Sequence, residues 1–218
     1  MSSIVQRKRA MMTFANKNKM DTYHMVVSVP TWGIGAKKLC YSIKKKLGYP
    51  LTTEWTSQME AHFLPAPPET IGQKALHIAI TQIGVKENPP GSNSGVTVRE
   101  YQATTGAFNA AWCASFFKWC LVKAGISADH LGHATADVTS YLAYPHISAS
   151  NVKAGDGVIY QWGGGDVDHI GRFEKWVIKG HMFYAIEGNT STSNDSNGGE
   201  VMRRLRSTST VAAFIRVE

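Results

Sequence analysis

Cysteine is scarce in this chain, and its scarcity rules out several classes of protein. The 218 residues include three, Cys40, Cys113 and Cys120, too few and odd in number for a disulfide framework. Cys113 and Cys120 fall on one predicted helix two turns apart, about 10 Å at the helical rise, whereas a disulfide tolerates less than about 7 Å. Neither a paired CxxC nor an HExxH occurs, so no zinc site is expected. Long hydrophobic runs are missing too. No stretch approaches the roughly 18 apolar residues that a membrane span requires, and stable membrane insertion is not expected. The basic start, Met1 to Phe14, leads into Ala15-Asn-Lys-Asn-Lys19 and not into an apolar segment, which argues against a secretory signal. Acidic residues are in deficit, 16 against 23 Lys and Arg, for a net charge of +7. A basic surface favours polyanionic partners. Without a zinc finger, an RNP-like aromatic motif or a Walker loop, however, charge alone is no case for nucleic acid.

What is present divides the chain. Residues 1–21 are polar and basic without a sustained period and read as a flexible leader. Residues 22–64 read as a small helical unit. In it, Leu39, Cys40, Ile43 and Leu47 recur at helical spacing before the Gly48/Pro50 stop, and a second short helix is expected over 53–63. The Pro-rich run 65–69 reads as a linker. From residue 70 to 218 the pattern is first helical (70–83, 96–104, 112–124 and a turn or two at 137–143). After Gly155 it changes to a period of two, with strands expected at 158–162, 169–178, 181–187, 201–205 and 211–217. Helices followed by a run of antiparallel strands make an α+β domain.

Chemistry concentrates in that second part. Cys113 opens the helix Trp112-Cys-Ala-Ser-Phe-Phe-Lys-Trp-Cys120, where the dipole and free N–H groups of a helix start favour an anion on sulfur. His169 opens a strand downstream, and an imidazole brought alongside a thiol can take and return its proton. The Lys179-Gly180 turn closes a hairpin; with a two-residue loop Arg172 faces Glu187 and Ile170 faces Asn189, subject to a slip of one. In any nearby register the His169 end lies beside Glu187-Gly188-Asn189, where a carboxylate or amide can fix the imidazole tautomer. Each residue also has an ordinary reading: a core thiol for Cys113 and Cys120, packing for His169, Trp112 and Trp162, loop solubility for Glu187 and Asn189.

Five segments, Gln82-Ile-Gly-Val-Lys-Glu-Asn-Pro-Pro-Gly-Ser-Asn-Ser94, Trp112-Cys-Ala-Ser-Phe-Phe117, Ala154-Gly-Asp-Gly-Val-Ile-Tyr160, Asp168-His-Ile-Gly171 and Ile186-Glu-Gly-Asn-Thr190, occur in this order. Together they resemble the CHAP family of cysteine, histidine-dependent amidohydrolases/peptidases, many of them bacteriophage endolysins. The resemblance covers residues 70–218. It implies a papain-like fold with Cys113 as nucleophile, His169 as base, Glu187 orienting it and Asn189 contributing polarity. It further implies a peptidoglycan hydrolase that cuts a wall amide, as an N-acetylmuramoyl-L-alanine amidase or an endopeptidase, needs no cofactor, and acts as a monomer on the wall after release from the host cytoplasm. Glu87 matches a recurrent loop glutamate without an implied catalytic role. The Asp-rich calcium loop of some relatives has no counterpart, so no metal is expected. Residues 22–64 are similar to small peptidoglycan-binding domains, and their basic charge suits anionic wall polymers. The alternatives are a thiol peptidase or amidase acting on other amides and a catalytically silent wall-binding protein.

Overall fold

Two packed units make up the chain in this computed structural model, Met1–Pro68 and Glu69–Glu218. The structure describes residues 2–64, 68–162 and 165–218, so most of the expected linker, residues 65–67, lies outside the described residues.

The reading of residues 1–21 as a flexible leader is corrected in the first unit. Helix α1 spans Ile4–Lys17, started by a capping box in which the Ser3 hydroxyl accepts from Gln6 N–H and the Gln6 side chain accepts from Ser3 N–H. Met11 and Ala15, one turn apart, are fully buried on its inner face. This apolar stripe is narrow and interleaved with basic residues, one of which, Lys8, is itself buried and donates through Nζ to the carbonyls of Val26 and Val29 at 2.8 Å each. Helix α2, Ile34–Leu47, buries Leu39, Cys40 and Ile43 as the spacing predicts and ends at Gly48 with φ 70°. Helix α3, Ser57–Phe63, is shorter than expected and inserts Met59 among them. Among the described residues no helix is long and apolar enough to cross a membrane.

The second unit is α+β. Helices α4 (Ile71–Thr81), α5 (Val96–Ala103) and α6 (Cys113–Lys123) precede an antiparallel sheet. Its strands are β1 (His146–Ile147), β2 (Gly157–Tyr160), β3 (His169–Ile178), β4 (Met182–Thr190), β5 (Glu200–Ser207) and β6 (Val211–Ile215), in the spatial order β1-β6-β2-β3-β4-β5. The short β1 escapes the sequence reading because two residues carry no period. Helix α6 is apolar on nearly all sides, burying Cys113 through Phe117 and Trp119 through Leu121 between the other helices and the sheet. Arg172 on β3 ties helix to strand: its guanidinium donates to the carbonyls of Phe117 (3.0 Å) and Gly155 (2.7 Å) and lies 4.1 Å over the Phe117 ring.

The β3–β4 register differs by one from the simple hairpin count. Irregularities between Phe173 and Lys175 and between Trp176 and Ile178 shift the pairing, so Glu187 faces Gly171, and Arg172 faces Ile186. This places a glycine where space is needed, since a Cβ on Gly171 would come within 2.6 Å of the Glu187 side chain. Gly188, next along β4, has the same role toward the helix: a Cβ there would meet Phe116 at 2.7 Å. Two glycines therefore let the strand carrying Glu187 approach both the histidine strand and the cysteine helix.

Candidate active site

Cys113 is the first residue of α6, and no side chain caps this helix, so its first-turn N–H groups stay available to an anion. The start of the helix is held through Trp112. That fully buried indole donates Nε1–H to Glu87 Oε1 at 2.9 Å and packs against Tyr101 and Phe116. Glu87 is in turn anchored by its own N–H to the Gly199 carbonyl at 2.9 Å. The loop glutamate noted in the sequence thus positions the residue preceding Cys113.

His169 begins β3 opposite Tyr160 and is completely buried. Its Nε2 lies 3.1 Å from Glu187 Oε2. An ionised carboxylate only accepts, so this nitrogen carries the proton in the pair. Nδ1 is buried without a hydrogen-bond partner among the described residues, so it is the ring nitrogen that Glu187 does not engage. Burial disfavours the imidazolium, but a Cys113 thiolate and the Glu187 carboxylate outweigh that and raise the His169 pKa to about 9. Burial likewise opposes charge on Glu187, yet hydrogen bonds from Arg206 and His169 bring its pKa down to about 2. Both partners favour the ionised pair.

Arg206, on β5, was not singled out in the sequence. Its Nε donates to Glu187 Oε1 at 2.8 Å and its Nη2 to Oε2, while Nη1 reaches Asp195 Oδ1 at 2.7 Å. The guanidinium also covers Tyr160 and Trp162, 5.4 and 5.1 Å from their ring centres. These two rings stack at 5.1 Å, and Trp162 lies 5.4 Å from His169. The sequence signals the need for such a residue without saying which arginine fills it: a carboxylate between two core-facing strands needs a second cation besides a titrating histidine.

The structure brings Cys113, His169 and Glu187 together but not Asn189. Asn189 is fully buried with φ 58°, and its side chain serves the loop: Oδ1 accepts from Gly199 N–H at 3.1 Å, and Nδ2 donates to Asn197 at 3.1 Å and to Asn93 at 3.5 Å. Asn189, expected to contribute polarity to the site, thus makes its side-chain hydrogen bonds within the described residues to Asn93, Asn197 and Gly199 and none to the imidazole. Cys120 and Cys40 are core thiols, and burial pushes them up to about 12 and about 11. Among the described residues no group of three or more His, Cys, Asp or Glu is placed to hold a metal ion. Among the described residues Cys113 is 3% exposed and His169 not at all. No protein-family model matches the chain, and no curated protein matches its sequence.

Proposed function

We propose that the second unit is a papain-like cysteine hydrolase of the CHAP type that cleaves an amide bond of bacterial peptidoglycan, as phage endolysins do. The observation that carries this reading is a cysteine at an uncapped helix start combined with a buried His169–Glu187 pair whose imidazole keeps one nitrogen unengaged. The Cys113 thiolate attacks the amide carbonyl to form a tetrahedral intermediate, with the Cys113 backbone N–H as oxyanion donor. His169 protonates the amine as the C–N bond breaks. Water then adds to the thioester, giving its proton to His169, and the sulfur leaves as thiolate. Glu187 keeps the imidazole oriented and favours its charged form throughout. The first unit would serve attachment: α2 exposes Ile34, Lys37, Lys38, Tyr41, Lys45 and Lys46 on one side, a basic face suited to an anionic wall polymer.

The wall substrate and release from the producing cell rest on the ordered resemblance of residues 70–218. Mass spectrometry of purified wall digested by the protein tests them. New amino and carboxyl ends on wall peptides, absent with Cys113→Ala, are expected and identify the bond. Release from protein substrates alone would make the enzyme a general thiol peptidase. The near-complete burial of Cys113 favours a second reading, a silent wall-binding protein, under which Cys113→Ala acts like the parent in every assay.

A further inference from the structure

The second unit contains a cavity of about 890 Å³ that the site above does not use. It lies at the other end of the sheet: Tyr160 pairs with His169, whereas Gly157 at the start of β2 pairs with Arg172 and Ile215, and the cavity is walled by segments just beyond that end, including Lys153 and Arg216. Its size is that of a small-molecule or short-peptide pocket.

Four charges in its lining decide what it suits. Lys153 Nζ makes no hydrogen bond to another described residue. Arg216 spends Nε and Nη2 on Asp156 at 2.8 and 2.7 Å, which leaves its Nη1 unengaged. Asp129 and Glu218 supply carboxylates in the same lining, with Glu218 Oε1 3.5 Å from Arg216 Nε. A ligand of one sign would be repelled by half of this set, whereas one that carries both signs can pair with all four. Tyr144 and Ile147 add an apolar wall, and the Tyr144 hydroxyl is buried without a partner.

We propose that this cavity is a binding site for a short peptide carrying both a free carboxylate and a free amino group, the carboxylate meeting Lys153 and Arg216 and the ammonium meeting Asp129 and Glu218. If the proposed function holds, the peptide is a wall stem held apart from the one being cut, so the protein grips two strands of its substrate. That last identification rests on the proposed function; the binding chemistry does not.

Calorimetry on the full chain carrying Cys113→Ala tests it with the peptide Ala-Glu-Lys-Ala acetylated at its N-terminus and amidated at its C-terminus, so that the Glu and Lys side chains carry its only charges. Saturable binding is expected, weaker by about tenfold or more when the Glu side chain is amidated or the Lys side chain acetylated, and similarly weakened by Lys153→Met or Glu218→Gln. Neither Lys153→Met nor Glu218→Gln touches Cys113, His169 or Glu187, so each, introduced separately into the chain that keeps Cys113, should retain the parent rate of Cys113 alkylation by iodoacetamide. Absence of saturable binding, binding indifferent to Lys153→Met and Glu218→Gln, or tighter binding of chitobiose than of the peptide would each overturn the proposal. Failure of Cys113-dependent hydrolysis would sink the catalytic reading and leave these binding results standing.

Discussion

Replacing Arg206 by Met tests the electrostatics of the site directly. Glu187 is fully buried and ionised, and Arg206, 7% exposed, gives it two charge-assisted hydrogen bonds. Removing one partner of a buried ion pair costs about 3–5 kcal/mol, because the remaining charge is left desolvated. Arg206→Met should reach the lower part of that range, since His169 still pairs with the carboxylate. Glu187→Gln should cost about 1–3 kcal/mol, as Arg206 keeps its 2.7 Å contact to the half-exposed Asp195. The double variant removes both charges, and its loss should fall short of the sum by about 1–3 kcal/mol. Urea unfolding followed by circular dichroism gives these values. Additivity within about 0.5 kcal/mol would refute the claim that Arg206 exists to balance Glu187.

Iodoacetamide should label Cys113 ahead of Cys40 and Cys120, whose burial keeps them protonated near neutrality, and Cys113→Ser should abolish hydrolysis with the fold intact; labelling of Cys120 first would invert the assignment. Glu187→Gln should keep a measurable part of the turnover while His169→Ala loses nearly all of it, since the base serves both half-reactions; equal losses would make Glu187 more than an orienting group. The His169 contribution to stability is complete below its ordinary value of 6.5 and disappears as pH rises through about 9, whereas that of Glu187 is complete above 4.5 and disappears as pH falls through about 2. Urea midpoints should therefore fall from pH 6.5 to 9, and His169→Ala should flatten that fall; an unchanged slope in the variant would reject the raised imidazole. A chain beginning at Glu69 should fold and still cut soluble wall fragments while binding intact wall more weakly at low salt; loss of hydrolysis from that folded chain would give the first unit a catalytic part.

The sequence was most legible where one period dominates. Strand β3 spans the expected 169–178, and α6 differs from expectation by one residue at each end, because a strand closed by the Lys179-Gly180 turn and an almost uninterrupted apolar helix leave little room for error. Helix α1 was missed because its apolar stripe is two residues wide and its buried lysine mimics a solvated face. The hairpin register could not be counted from the turn, since two strand irregularities leave no compositional mark. Glu187 was found from its neighbourhood to His169 and survived the shift in register, because a glycine and not a side chain lies opposite. Arg206 stands among Arg203 and Arg204, and nothing in a run of arginines says which one turns inward.

The line Cys113, His169, Glu187, Arg206, Asp195 alternates in sign when the first two are ionised, and of its last four members only Asp195 is well exposed, at 43%. Dissolved ions can therefore approach the chain of charges at one end alone, about three side chains away from the sulfur. Mobile salt screens exposed charges over roughly 10 Å or less at moderate strength but acts weakly on buried ones. Under the proposed function, raising the ionic strength should thus loosen any attachment made through the lysines of α2 while leaving the imidazole's titration almost where it was, so that grip on an anionic polymer and chemistry at the sulfur would respond to the same bath independently.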